Sequence, residues 1–165
     1  MLRKLLPCLA LFLLHAVPAL AQDTPHGEVI LTVNGTLAKP NQADRMVFDQ
    51  AMLEKLPQKK YTVQLPWLEG PQTFEGPLLA DVLAQSGASG KTVTFRALND
   101  YSASMDVEEA KKHGVILALR QNGKLLTVRT KGPLFVMFPF DRNEALRTPD
   151  NYRRCVWQLN QIDVR

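Results

Sequence analysis

The chain has 165 residues, of which 45% are hydrophobic and 22% charged, with a formal net charge of +4. Such a composition excludes a disordered or fibrous polymer and allows one domain with a substantial core. Lys59-Lys60, Lys111-Lys112 and Arg153-Arg154 are isolated basic pairs, so no cationic run marks a nucleic-acid footprint.

The first 21 residues read as a cleaved secretory signal. Arg3 and Lys4 form a positive start, residues 5–14 are nearly all apolar, and Ala19-Leu20-Ala21 supplies small residues for cleavage. An uncleaved anchor is the weaker alternative, because Pro7, His15 and Pro18 interrupt a run already short of the roughly 20 apolar residues a span needs. The mature protein is expected to begin near Gln22 and to be periplasmic. It keeps 18 of the 20 basic residues against 16 acidic ones, a net of +2. Cys8 leaves with the signal and Cys155 stays alone, so no intramolecular disulfide is available and the fold must rest on its core.

Along the mature chain, residues 28–33 read as a strand, and Asn34-Gly35 predicts a hairpin before Thr36-Leu37. A short strand over 45–48 precedes Asp49, which is placed to cap a helix carrying Met52, Leu53 and Leu56 on one face and ending at Pro57. Residues 61–65 alternate as a strand. An irregular loop over 66–76 follows, in which Trp67 is either a lid on the core or a surface for stacking a ligand. Pro77 suits a helix start, Leu78, Leu79, Val82, Leu83 and Ser86 form a buried stripe, and Gly87 closes it.

Val93 and Phe95 alternate with Thr94 and Arg96 as in a half-buried strand, which empties into Asn99-Asp100-Tyr101-Ser102. These four residues bring an amide, a carboxylate, a ring and a hydroxyl together. They read either as the rim of a small-molecule pocket or as a plain Asn-Asp turn. Asp106 caps a helix over 107–113 that stops at Gly114. Residues 115–120 then form a strand, Asn122-Gly123 a second hairpin turn, and 125–130 the returning strand. After Lys131-Gly132-Pro133, residues 134–138 are an apolar strand. In the final stretch, 155–164, Cys155, Trp157 and Leu159 share one face while Ile162 and Val164 fall out of phase, which predicts a bulge and makes Cys155 a small core residue beside Trp157. The elements add up to a single β-rich α+β domain with short helices.

The mature chain offers no convincing catalytic set. His26 and His113 are its only histidines, and Cys-x-x-Cys, His-Glu-x-x-His and Asp-rich calcium loops are absent.

The succession Phe74-Glu-Gly-Pro-Leu-Leu-Ala-Asp-Val-Leu83, Val93 to Tyr101, Ile116-Leu-Ala118, Asn122-Gly123, Lys131-Gly-Pro-Leu134 and Val156-Trp157 resembles the sulfite-oxidase-type molybdopterin-binding domain. Members of that family hold molybdenum through a cysteine thiolate upstream of the Phe-x-Gly-x-x-Leu motif, where this chain reads Leu65-Pro66-Trp67-Leu68-Glu69 and offers no sulfur. A short, secreted, cysteine-less version is similar to bacterial periplasmic pterin-binding proteins. That resemblance implies a non-covalently held pterin, no metal, no catalysis, and action with a membrane-bound regulator of cyclic-di-GMP. A pterin wants an aromatic face and a carboxylate for its aminopyrimidinone edge. Trp67 and Tyr101 are candidates for the face, Asp100 for the carboxylate, Asn99 for a further amide, and Lys131, Arg154 and Arg96 for donors to ring acceptors. The alternatives are a molybdopterin-dependent oxidoreductase and an interaction protein whose pocket is filled by its own side chains.

Overall fold

A computed structural model describes residues 23–165, and the expected signal over 1–21 lies outside them. The strands are β1 (Val29–Asn34), β2 (Thr36–Leu37), β3 (Met46–Asp49), β4 (Gln58–Val63), β5 (Gln72–Pro77), β6 (Ala88–Ser89), β7 (Thr92–Ala97), β8 (Ser102–Asp106), β9 (Ile116–Ala118), β10 (Arg120–Gln121), β11 (Lys124–Leu125), β12 (Phe135–Met137) and β13 (Leu159–Val164). The helices are α1 (Gln50–Lys55), α2 (Leu79–Ser86), α3 (Val107–His113) and α4 (Pro149–Arg154). No described helix is long and apolar enough to cross a membrane.

One five-stranded sheet runs β3-β1-β13-β7-β8, with β1 and β13 parallel and the other neighbours antiparallel. A four-stranded sheet runs β11-β10-β5-β4, and β12 pairs with β9 alone. Leu31, Val33, Val93, Phe95, Ile162 and Val164 alternate onto the inner face of the first sheet, and Phe74, Phe135 and Phe138 complete the core they meet. The outer face of that sheet is polar, with Thr94 hydrogen-bonded to Ser104 and Arg96 paired with Asp163 at 3.5 Å. Alternation in sequence thus becomes a two-faced antiparallel sheet. The β3 end is sealed by a side chain: Asn41 accepts from the Val47 N–H at 2.8 Å and donates to the Val47 carbonyl at 2.9 Å, standing in for a missing strand.

Helix signals translate directly. Asp106 accepts from the Glu109 N–H, and Gly87 and Gly114 close α2 and α3 in the left-handed conformation. Asp49 accepts the Met52 N–H through Oδ1 and the His26 and Gly27 N–H groups through Oδ2, all at 2.8 Å. These donors, Met52 foremost, hold its carboxyl below the ordinary value of 3.8. The unfolded chain therefore binds the proton more tightly. Asp49's contribution to stability is complete above pH 3.8 and is lost as pH falls through the lower folded value. Urea midpoints measured across this acid limb should fall more steeply for the native protein than for Asp49→Asn, which should already be weaker at neutral pH.

Several expectations need correction. Asn34-Gly35 does not turn a hairpin: β2 pairs with β6, and Gly35, at φ 133°, is required because a Cβ there would lie 2.3 Å from the Val164 carbonyl oxygen. The second half of the expected 66–76 loop is strand β5, with Phe74 and Gly76 inward, so Pro77 ends a strand and Leu78 is the cap of α2. The strand expected over 61–65 starts earlier, at Gln58. Asn122-Gly123 does turn a hairpin, with φ of 51° and 77°, but the returning strand is only β11, followed by a 3-10 turn over Val128–Thr130. The bulge in the last strand falls between Leu159 and Gln161. Cys155 is buried, yet Trp157 beside it is 42% exposed rather than packed in the core.

Candidate functional site

The turn from β7 to β8 is built by its backbone. The Asp100 N–H donates to the Ala97 carbonyl, the Ala97 N–H donates to the Tyr101 carbonyl, and Asp100 takes a φ of 65° that Asp tolerates better than most residues. Asn99 Oδ1 accepts the Tyr101 N–H at 3.2 Å. The Tyr101 hydroxyl then donates to the Arg153 carbonyl at 2.9 Å, tying this turn to the end of α4. Helix α4 starts where Thr148 accepts from the Asn151 N–H and Pro149 occupies the first turn.

Between these elements lies a cavity of about 460 Å³, lined by Trp67, Asn99, Tyr101, Tyr152, Arg153 and residues 155–157. Its volume falls within the range of small-molecule sites, roughly 300–1,000 Å³. Trp67 comes from the loop between β4 and β5 and meets the Tyr152 ring edge-to-face, with centroids 5.5 Å apart. Tyr152 leans in turn on Phe140. Trp157 stands edge-to-face to Phe135, and the Lys131 ammonium lies 4.9 Å from its ring centroid. Trp67, Tyr101 and Trp157 are 37%, 45% and 42% exposed, although each is pinned by neighbours, so the rings are held in place without being used up by the core.

Of the residues expected at the site, Trp67, Asn99 and Tyr101 line the cavity together. Asp100, Lys131 and Arg154 are not among its lining residues. Asp100 occupies the apex of the turn, and Lys131 touches the cavity only through Trp157. Arg154 ends α4, and its donors go to Glu109 at 3.0 Å, Asn151 at 3.1 Å and the Ser104 carbonyl at 3.2 Å. It therefore clamps α3 and α4 to the free edge of β8. Arg96 faces away, against Asp163. The sequence reading missed Tyr152, Arg153 and Trp157. The Thr148-Pro149-Asp150 run was a legible helix start that would have placed the first two.

Cys155 also lines the cavity, but as a thiol. Burial pushes its pKa far up, and Sγ donates to the Asn151 carbonyl at 3.3 Å. The cavity's walls are largely aromatic, and the Asn99 amide nitrogen, which has no partner among the described residues, is a polar group beside them. A protein thiolate for molybdenum does not fit this donor set. The described residues also contain no group of three or more His, Cys, Asp or Glu side chains placed to hold a metal ion.

The model of the family described as "oxidoreductase molybdopterin binding domain" matches residues 41–140. A search of curated proteins by sequence finds no match. Among solved structures, the crystal structure of the sulfane dehydrogenase SoxCD from Paracoccus pantotrophus is similar, with 19% identity and a TM-score of 0.62. The likeness covers 81% of this chain but 37% of that one, and at this identity it carries the fold alone. The matched span includes the Trp67 loop and the Asn99–Tyr101 turn, while the α4 end and Trp157 lie beyond it. With its sheet arrangement in agreement and the larger part of its length matched, the chain belongs to the oxidoreductase molybdopterin-binding domain family.

Proposed function

We propose that this protein is a periplasmic pterin-binding protein that holds its ligand non-covalently and works as the sensor for a membrane-bound regulator of cyclic-di-GMP, without molybdenum chemistry. The observation that carries the reading is the ring set itself: Trp67, Tyr101 and Trp157 surround a cavity whose lone sulfur is a protonated, hydrogen-bonded thiol. Flat bicyclic rings stack on such walls, and the polar lining residues near a heterocycle's edge are Asn99 and Arg153, the latter ion-paired with Asp150. A bound pterin signals only through its different affinity for two states of the protein or of its complex.

The family also contains the runner-up reading, a molybdopterin-dependent oxidoreductase, which would have to hold its metal without a protein thiolate. One experiment separates the two. Protein purified from the periplasm of a pterin-producing host is acid-denatured, and the supernatant is assayed for pterin fluorescence and for molybdenum by mass spectrometry. Pterin without metal is the expected result; stoichiometric molybdenum would overturn it. Neither species, with no binding of added pterins, would leave a protein-interaction role as the better account.

A further inference from the structure

Among the polar side chains of the aromatic cavity, Asn99 is the informative one. Its Oδ1 accepts the Tyr101 N–H at 3.2 Å, and because a backbone N–H can only donate, that bond fixes which way the amide is turned. The end of Asn99 left without a partner among the described residues is therefore the Nδ2 amino group, a donor. The indole N–H groups of Trp67 and Trp157, two further donors in lining residues, are also without a partner among the described residues.

The lining contains no Asp or Glu. Asp100 stands at the apex of its turn, outside the cavity, and Asp150 lines a neighbouring groove, where it is ion-paired with Arg153. The Tyr101 hydroxyl and the Cys155 thiol are themselves occupied as donors, to the Arg153 and Asn151 carbonyls. What the side chains leave for a ligand's edge is thus a set rich in N–H donors and without a carboxylate.

That set bears on the carbon between the two pyrimidine nitrogens of a pteridine. In a pterin this carbon carries an amino group, which with the adjacent ring N–H forms a pair of donors that a carboxylate accepts. In the dioxo ring, lumazine, the same carbon carries a carbonyl, an acceptor. Both rings keep the second carbonyl and the same stacking face, so the aromatic walls treat them alike. Strong discrimination by one exocyclic group needs a partner built for that group. We infer that Asn99 is the specificity-determining residue of the cavity, donating from Nδ2 to a ring carbonyl, and that the site takes dioxopteridines at least as readily as pterins. The inference rests on the pterin-binding reading and widens it to flat bicyclic heterocycles whose edge presents carbonyls.

The test titrates the purified full chain with pterin and with lumazine, a pair that differs at that one carbon, and follows the fluorescence of each ring. Asn99→Asp and Asp100→Asn are titrated in the same way. Asn99→Asp keeps an oxygen to accept the Tyr101 N–H and exchanges only the free donor for a carboxylate oxygen. Expected are an affinity for lumazine equal to or above that for pterin in the native protein, the same ratio in Asp100→Asn, and a shift of about tenfold toward pterin in Asn99→Asp, the scale of gaining a hydrogen bond to a charged group. Measurably tighter binding of pterin by the native protein, a ratio that changes in Asp100→Asn, or one unmoved in a folded Asn99→Asp would overturn the inference while leaving the pterin-binding reading in place. The native ratio needs no variant, so it decides the matter even if Asn99→Asp fails to fold. Binding of neither ring would instead defeat the pterin-binding reading, and this inference with it.

Discussion

Gly76→Ala is expected to destabilise the protein by about 3 kcal/mol or more, the upper end of what overpacking costs. Gly76 faces inward on β5, opposite Lys59 on β4, and the β9 backbone passes directly over it. A Cβ at this position would sit 1.9 Å from the Leu117 carbonyl oxygen and 2.8 Å from the Ala118 Cα. Both obstacles are main chain, so no rotamer change relieves them. To make room, β9 must move away from β5, which would break the Leu119 N–H to Glu75 carbonyl bond of 2.8 Å and loosen the Phe74–Phe135 contact. Gly70→Ala is the control: it lies in open space, and the only penalty is its left-handed φ of 63°, worth roughly 1–2 kcal/mol. Urea unfolding of both variants decides the matter. A Gly76→Ala midpoint no lower than that of Gly70→Ala would show that packing against β9 is looser than described.

On the proposed pterin-binding function, Trp157→Ala should weaken pterin binding by roughly 10- to 100-fold, corresponding to the ~1–3 kcal/mol lost when an aromatic is removed from a stacked heterocycle. The ring is 42% exposed, so its removal costs the core little beyond the edge contact with Phe135. Trp157→Phe should retain part of the affinity, because a smaller face still stacks. Lys131→Ala should have a lesser effect, since it removes only the cation resting on the ring, a contact of about 0.5–1 kcal/mol when exposed. Quenching of pterin fluorescence on titration reads all three. Unchanged affinity in Trp157→Ala, with the protein folded, would remove this ring from the site.

The α+β class and most elements were legible because local rules agreed with tertiary demands. Alternation around Val93 and Phe95, the Asp49 and Asp106 caps, and the Gly87 and Gly114 stops each appear as read. Where reading failed, a distant partner decided. Asn34-Gly35 carries a hairpin's chemistry, but the close approach of Val164 uses Gly35 for space, and β2 finds its partner in β6. The strand at Gln72–Pro77 hid behind Gly76 and Pro77, whose places are set by β9 and by the start of β4. At the site, Trp67, Asn99 and Tyr101 could be picked out because polar and aromatic residues sat on evident loops. Trp157 could not, because alternation with Cys155 and Leu159 mimicked a core strand that the bend at Gln158 breaks.

Strand β13 occupies the middle of the five-stranded sheet, yet it is the latest of the described strands to leave a ribosome. Until it arrives, the β3–β1 pair and the β7–β8 pair have no common neighbour, and each exposes an unsatisfied backbone edge. A nascent chain thus cannot assemble this sheet piecemeal as it elongates. Completion is a single late closure that joins the earliest described strand to the latest, a topology that folds slowly and holds its unfinished form open until then.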